Sequence, residues 1–276
     1  MALFIDQIHN AGYNKSRYNC LYAVSYEDLI MKKLQFPGIN SFTLHILAMV
    51  LMLSDHLWAC SILPADIFTW LGRIAYPIFA FMIVEGYFHT SSYKRYIKRI
   101  FLFALLSEIP FNLMCSSSFM YPFHQNVLWT FLIGLLAIRL IERIRAKKNP
   151  WLTVFGFAGI SFTAYLLGYI LFVDYFGCGV LMVLVFYLFR PKKWWCYVAQ
   201  AICLFYINWE MLSGLSIPVT LFGQEFFLVQ QGIACLALIP IWLYNGKQGP
   251  HNKIIKYSFY AFYPVHMLLL YLLRLF

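Results

Sequence analysis

Asp55 and His56 stand side by side in "VLMLSDHLWAC", inside an apolar run that extends from Phe42 to Leu63. Arg73 follows Gly72 in the next apolar run. Each of these ionisable groups costs roughly 2.5–3.5 kcal/mol at bilayer depth on insertion scales. Together they have the composition of an acid–base site. A carboxylate beside an imidazole fixes its tautomer and favours the imidazolium that forms on proton abstraction. An adjacent cation stabilises an oxyanion as it develops. His56 is therefore the candidate general base, Asp55 its orienting partner and Arg73 the oxyanion partner. A purely structural alternative is an Asp55–Arg73 ion pair with a hydrogen-bonded histidine, which needs no chemistry.

Other polar groups also fall in apolar runs. Glu85 closes the second run, Glu108 lies in "SEIPFN" with Pro110 and Asn112, and His266 lies in "FYPVHM" with Pro264. Asp66 and Asp174 read as loop residues. His45, His89 and His124 read as side chains close to the membrane interfaces. The seven cysteines have no CxxC or metal-like spacing, and most lie in apolar segments. That pattern predicts neither a disulfide nor a metal site.

The elements that carry these residues follow from composition. The chain is 62% hydrophobic, 20% aromatic and only 12% charged. A soluble chain of this length is about a quarter charged. The chain therefore reads as a polytopic membrane protein. Apolar segments at about 42–63, 67–89, 97–115, 126–143, 151–172, 176–190, 194–209, 226–244 and 256–275 predict an all-α bundle of about nine transmembrane helices. The net charge of +10 does not point to nucleic acid, because the Lys and Arg residues concentrate on alternate connections. Those connections hold Lys94–Arg99, Arg139–Lys148, Arg190–Lys193 and Lys247–Lys256. By the positive-inside rule the N-terminus is cytoplasmic and the C-terminus lies outside. Residues 1–40 read as a polar cytoplasmic arm and 41–276 as the membrane domain.

The first two spans form a hairpin that turns near Pro64 and Ala65. His56 and Arg73 then lie at one depth, about 12–13 Å from the turn. Gly72 admits a close neighbour. Pro77 removes the N–H that would bond to the Arg73 carbonyl, which predicts a break in the second span beside Arg73.

Several stretches carry a family resemblance: "LAMVLMLSDH", "LGRIAYPIFAFMIVEGYFHT", "YIKRIFLFALLSEIPFNL", "NVLWTFLIGLL", "YNGKQG" and "FYAFYPVHMLLLY". Over about residues 41–275 the chain resembles the TraX family, the conjugal-transfer pilin acetylase and its relatives. That family is in turn similar to the wider transmembrane acyltransferases. The resemblance implies a bacterial cytoplasmic-membrane enzyme that takes acetyl-CoA from the cytoplasm and passes the acetyl group to an extracytoplasmic acceptor, a pilin-like N-terminus or a cell-surface glycan. It implies that His56 is the essential histidine, acting with Asp55 and Arg73, with an acetyl-histidine intermediate left open. It places Glu85, Arg95, Arg99, Tyr263 and His266 on the cofactor side and Glu108, Asn112 and Asn126 on the acceptor side. It implies no metal. His45 stands where the family usually has Lys. Two rival readings remain. One is a proton-coupled transporter, which the lack of an inverted repeat weakens. The other is a non-catalytic assembly factor for conjugation or surface structures, in which His56 is dispensable.

Overall fold

The computed structural model describes residues 38–221 and 223–276, so the predicted arm lies outside the described residues except for its last positions. The described chain is mostly helical. Its helices are α1 (Ser41–Ala59), α2 (Ile67–Gly72), α3 (Ala75–His89), α4 (Tyr93–Ser116), α5 (Val127–Arg145), α6 (Pro150–Ile170), α7 (Phe176–Leu188) and α8 (Trp194–Tyr206). A π turn (Ile207–Met211), a hairpin of β1 (Ser216–Leu221) and β2 (Gln224–Val229), a 3₁₀ segment (Gln230–Ala237), α9 (Leu238–Trp242) and α10 (Lys253–Arg274) follow.

Among the described residues, four segments are long and apolar enough to cross a membrane by length and composition: Ser41–Ala59, Ile67–His89, Tyr93–Ser116 and Pro150–Ile170. The chain is a membrane protein. Phe176–Leu188 and Gln230–Trp242 are shorter apolar helices. α5 is long, but its last turns carry Arg139, Glu142, Arg143 and Arg145. The expected helix over 226–244 needs correction. Its first residues pair in the hairpin, and the rest runs as 3₁₀ and then α structure. The β-branched and aromatic run "IPVTLFGQEFFLV", punctuated by Gly223, suits a hairpin better than a span.

Caps set the ends of the helices that matter for the site. Asn40, Ser92, Asn126, Asn149 and Asn252 each accept a backbone N–H in the first turn of the helix that follows. The second apolar run breaks where Pro77 predicts: α2 stops at Gly72 and α3 starts at Ala75, with Arg73 in the gap. The buried core lies among α3, α5 and α7, where Ile78, Val84, Ile138, Met182 and Phe186 are almost fully enclosed. α6 by contrast buries only Ala164 and Gly168 and turns Val154, Phe155 and Phe162 outward. An apolar outer face of that kind suits lipid.

Candidate functional site

Successive residues on an α-helix point about 100° apart. Asp55 and His56 therefore face different neighbours, and this decides the site. Asp55 faces the break in the second run. Its Oδ1 accepts from Thr69 Oγ1 at 2.7 Å and lies 3.3 Å from Arg73 Nη2. Arg73 Nη2 also donates to Thr69 Oγ1 at 2.8 Å. Gly72 makes the approach possible: a Cβ there would lie 2.8 Å from Asp55 Cγ and clash with Asp55 Cβ. The expected Asp55–Arg73 pair is thus present, and the close neighbour anticipated for Gly72 is Asp55 itself.

His56 faces α10. Its Nδ1 lies 2.7 Å from His266 Nε2. The two rings are within 5° of coplanar with centroids 4.9 Å apart, the spacing of rings joined edge to edge through a hydrogen bond. His266 Nδ1 lies 2.7 Å from the Phe262 carbonyl. A carbonyl only accepts, so His266 Nδ1 carries a proton. In the neutral ring its Nε2 must then accept, and His56 Nδ1 must donate. The tautomer of His56 is set by this chain, and its Nε2 is left with a bare lone pair. The expected orienter, Asp55, is not the partner of His56 in the described hydrogen bonds; His266 fills that place. No local signal reveals this, because the two histidines are 210 residues apart.

A cavity of about 630 Å³ reaches into the bundle from its basic end. Its mouth holds His45, Glu85, His89, Arg99, His251 and Lys256, and its inner wall holds Met52, Met82, Leu128, Phe131, Phe262 and Tyr263. Of the residues expected on the cofactor side, Glu85, Arg99 and Tyr263 line it, whereas His266 and Arg95 do not. Arg95 is exposed on the first turn of α4. Glu85 sits with Arg190, which reaches it at 2.6 and 3.2 Å through two nitrogens while its guanidinium lies over the Phe88 ring. Nearness in sequence would pair Glu85 with the Lys94–Arg99 cluster; the structure pairs it with Arg190, 105 residues away. His45 Nδ1 is 2.8 Å from the Ser41 carbonyl, and its ring is parallel to Phe259.

At the other end of α4, Glu108 Oε2 accepts from Trp129 Nε1 at 2.9 Å and from Asn126 Nδ2. Asn126 also donates to the Ala104 carbonyl at 2.9 Å. Asn112 Nδ2 reaches the Phe119 carbonyl at 3.5 Å instead. The structure brings Glu108 and Asn126 together, with Asn112 one turn further along α4. Glu108 Oε1 and Asn112 Oδ1 are buried with no hydrogen-bond partner among the described residues, as is Arg99 Nε near the cavity mouth.

Sequence reasoning missed Asp174. It is more than a loop residue: its Oδ1 lies 3.5 Å from His124 Nε2, its backbone N–H donates to the Gln125 carbonyl, and its own carbonyl accepts from Thr130. The carboxylate holds the pKa of His124 above its ordinary value, against the opposing effect of burial. Next to it, Tyr175 stacks on Tyr76 with ring centroids 4.0 Å apart. Its backbone has a left-handed conformation, with φ 59°.

The chain is 26% identical over 253 residues to the "Probable fimbrial assembly protein FimC, serogroup H1" of Dichelobacter nodosus, covering 84% of this chain and 94% of that protein. No solved structure matches the chain significantly. The family model described as "TraX protein" matches residues 41–274, which include the Asp55–Arg73 pair, the His56–His266 chain and the cavity. This chain belongs to the TraX family.

Proposed function

We propose that this chain is a membrane-embedded acetyltransferase that takes an acetyl group from acetyl-CoA and passes it to an acceptor on the opposite side of the membrane. The observation that carries the reading is the hydrogen-bond chain from the Phe262 carbonyl through His266 to His56, which holds His56 Nε2 ready to take a proton. His56 Nε2 removes the proton of the attacking hydroxyl or amine and returns it to the departing sulfur. His266 steadies the imidazolium between these events by accepting from Nδ1. Arg73 supplies fixed positive charge, held in place by Asp55 and Thr69.

The cavity suits the donor. Arg99 and Lys256 give its mouth positive charge, and the buried Arg99 Nε has a hydrogen to give. Its inner wall is apolar and ends at Phe262, one turn from His266. Acetyl-CoA would supply the activated thioester there. The basic end is the cytoplasmic side in this reading, and the membrane is the bacterial cytoplasmic one. The relative named as a probable fimbrial assembly protein favours a pilin-like subunit as acceptor, with a cell-surface glycan as the other class. The same name also favours a second reading, a non-catalytic role in assembling surface fibres. One experiment separates the two. Protein purified in detergent is assayed for acetyl-CoA binding and turnover, with His56→Ala beside wild type. The enzyme reading expects binding retained and turnover lost. Turnover in a folded His56→Ala protein equal to wild type refutes it.

A further inference from the structure

The hairpin offers one open edge of main-chain hydrogen-bonding groups. Its register pairs Ser216 with Val229, Pro218 with Phe227 and Thr220 with Glu225. At its base the Gln230 N–H donates to the Leu215 carbonyl at 2.9 Å. In an antiparallel ladder hydrogen-bonded pairs alternate with non-bonded pairs. The Leu215–Gln230 bond therefore makes these three pairs the non-bonded ones, with their N–H and C=O groups turned away from the partner strand. The two edges differ. On β1 the central outward donor is missing, because Pro218 has no N–H, a common protection of an edge. On β2 the N–H groups of Glu225, Phe227 and Val229 all point outward, and no other described residue bonds to them. Phe227 is 61% exposed.

We infer that the β2 edge is a docking surface for an extended polypeptide, which adds to the hairpin as a third, antiparallel strand. The chemistry of the edge selects this occupant. Donors and acceptors repeated at the strand spacing match another backbone, and neither a glycan nor a lipid tail carries that pattern. The direction of β2 adds a second argument. β2 runs straight into Gln230, whose Nε2 lies 3.5 Å from Thr69 Oγ1. Thr69 in turn joins Asp55 and Arg73. An antiparallel strand on β2 has its N-terminal end opposite Val229. The docked chain thus presents its N-terminus toward the Asp55–Thr69–Arg73 cluster. Recognition is by backbone and therefore tolerant of sequence. The inference rests on the acetyltransferase reading for its purpose, and on the hairpin alone for its geometry.

The test uses the full chain in nanodiscs. The probe is a short peptide of alternating Thr and Val with a free N-terminus and a fluorophore at the C-terminus, read by anisotropy. Phe227→Pro removes one outward N–H and leaves the bonds within the hairpin, whereas Phe227→Ala keeps the N–H and removes only the ring. We expect Phe227→Pro to weaken binding by roughly tenfold or more, and Phe227→Ala to do so much less. A scan of N-methylated probes against unaltered protein needs no variant to fold. It is expected to lose binding at every second amide and keep it at those between. No binding to wild type, a folded Phe227→Pro protein that binds as wild type does, or a methylation scan without the two-residue alternation each overturns the docking surface. With acetyl-CoA added, a probe that binds with the alternation but is never acetylated leaves the surface standing and removes its role in presenting an acceptor N-terminus. A probe acetylated without alternation removes the surface and leaves the acetyltransferase reading standing.

Discussion

Replacing His266 by Phe tests the tautomer argument. The aromatic ring keeps roughly the same volume, but His56 Nδ1 loses the acceptor now 2.7 Å away, and the Phe262 carbonyl loses a side-chain donor. A buried donor left without a partner costs about 1–3 kcal/mol. The cost falls on the one tautomer that leaves Nε2 bare, so His56 escapes it by moving its proton to Nε2 or by turning its ring. If turnover depends on that tautomer, His266→Phe slows it by roughly 5- to 150-fold. His266→Gln has an amide oxygen that can accept from His56 Nδ1–H, and it is expected to recover a substantial part of the loss. Two measurements are paired. Release of free thiol from acetyl-CoA reports turnover, and nitrogen NMR of labelled histidine reports which ring nitrogen of His56 is protonated. The reasoning is refuted if His266→Phe leaves both the rate and the Nδ1–H signal of His56 at their wild-type values. A merely structural His266 would lower the melting temperature in detergent without moving the tautomer signal.

Gly72→Ala places a methyl group against Asp55 and is expected to destabilise the fold by about 1–3 kcal/mol, read as a lower melting temperature in detergent. The His124–Asp174 contact predicts a pH dependence. Because the folded-state pKa of His124 is raised, its contribution is complete below the ordinary value of 6.5 and is lost as pH rises through the raised value. Both side chains are about a third exposed, so the contribution is at most about 1 kcal/mol, and Asp174→Asn should flatten the dependence of melting temperature on pH across that window.

What was legible in the sequence was local. Pro77 announces the break beside Arg73 because a missing N–H is a property of one residue. The Asp55–Arg73 pair could be anticipated from equal depth on a short hairpin. The pairing of His56 with His266, and of Glu85 with Arg190, depends on which faces of distant helices meet, and no periodicity encodes that choice. Adjacency in sequence makes Asp55 and His56 look like one unit. The helical screw separates them. The segment over 226–244 misled for a different reason. Hydropathy measures how willingly residues leave water, but strand and helix can satisfy it equally, and only the β-branched and aromatic content of the first half favours the strand.

The cavity and the histidine pair share a peptide unit. Phe262 lines the cavity, and its carbonyl accepts the hydrogen bond that fixes His266 and, through it, His56. A ligand that fills the cavity and shifts this turn of α10 therefore changes the proton affinity of His56 through this hydrogen-bond chain. Thermodynamic linkage makes the effect mutual: protonating His56 must change the affinity for that ligand by the same factor. Occupancy at one end of the bundle and basicity deeper within it are then two readings of a single coupling free energy. The ligand-binding curve, measured at several pH values, then reports the protonation state of that base.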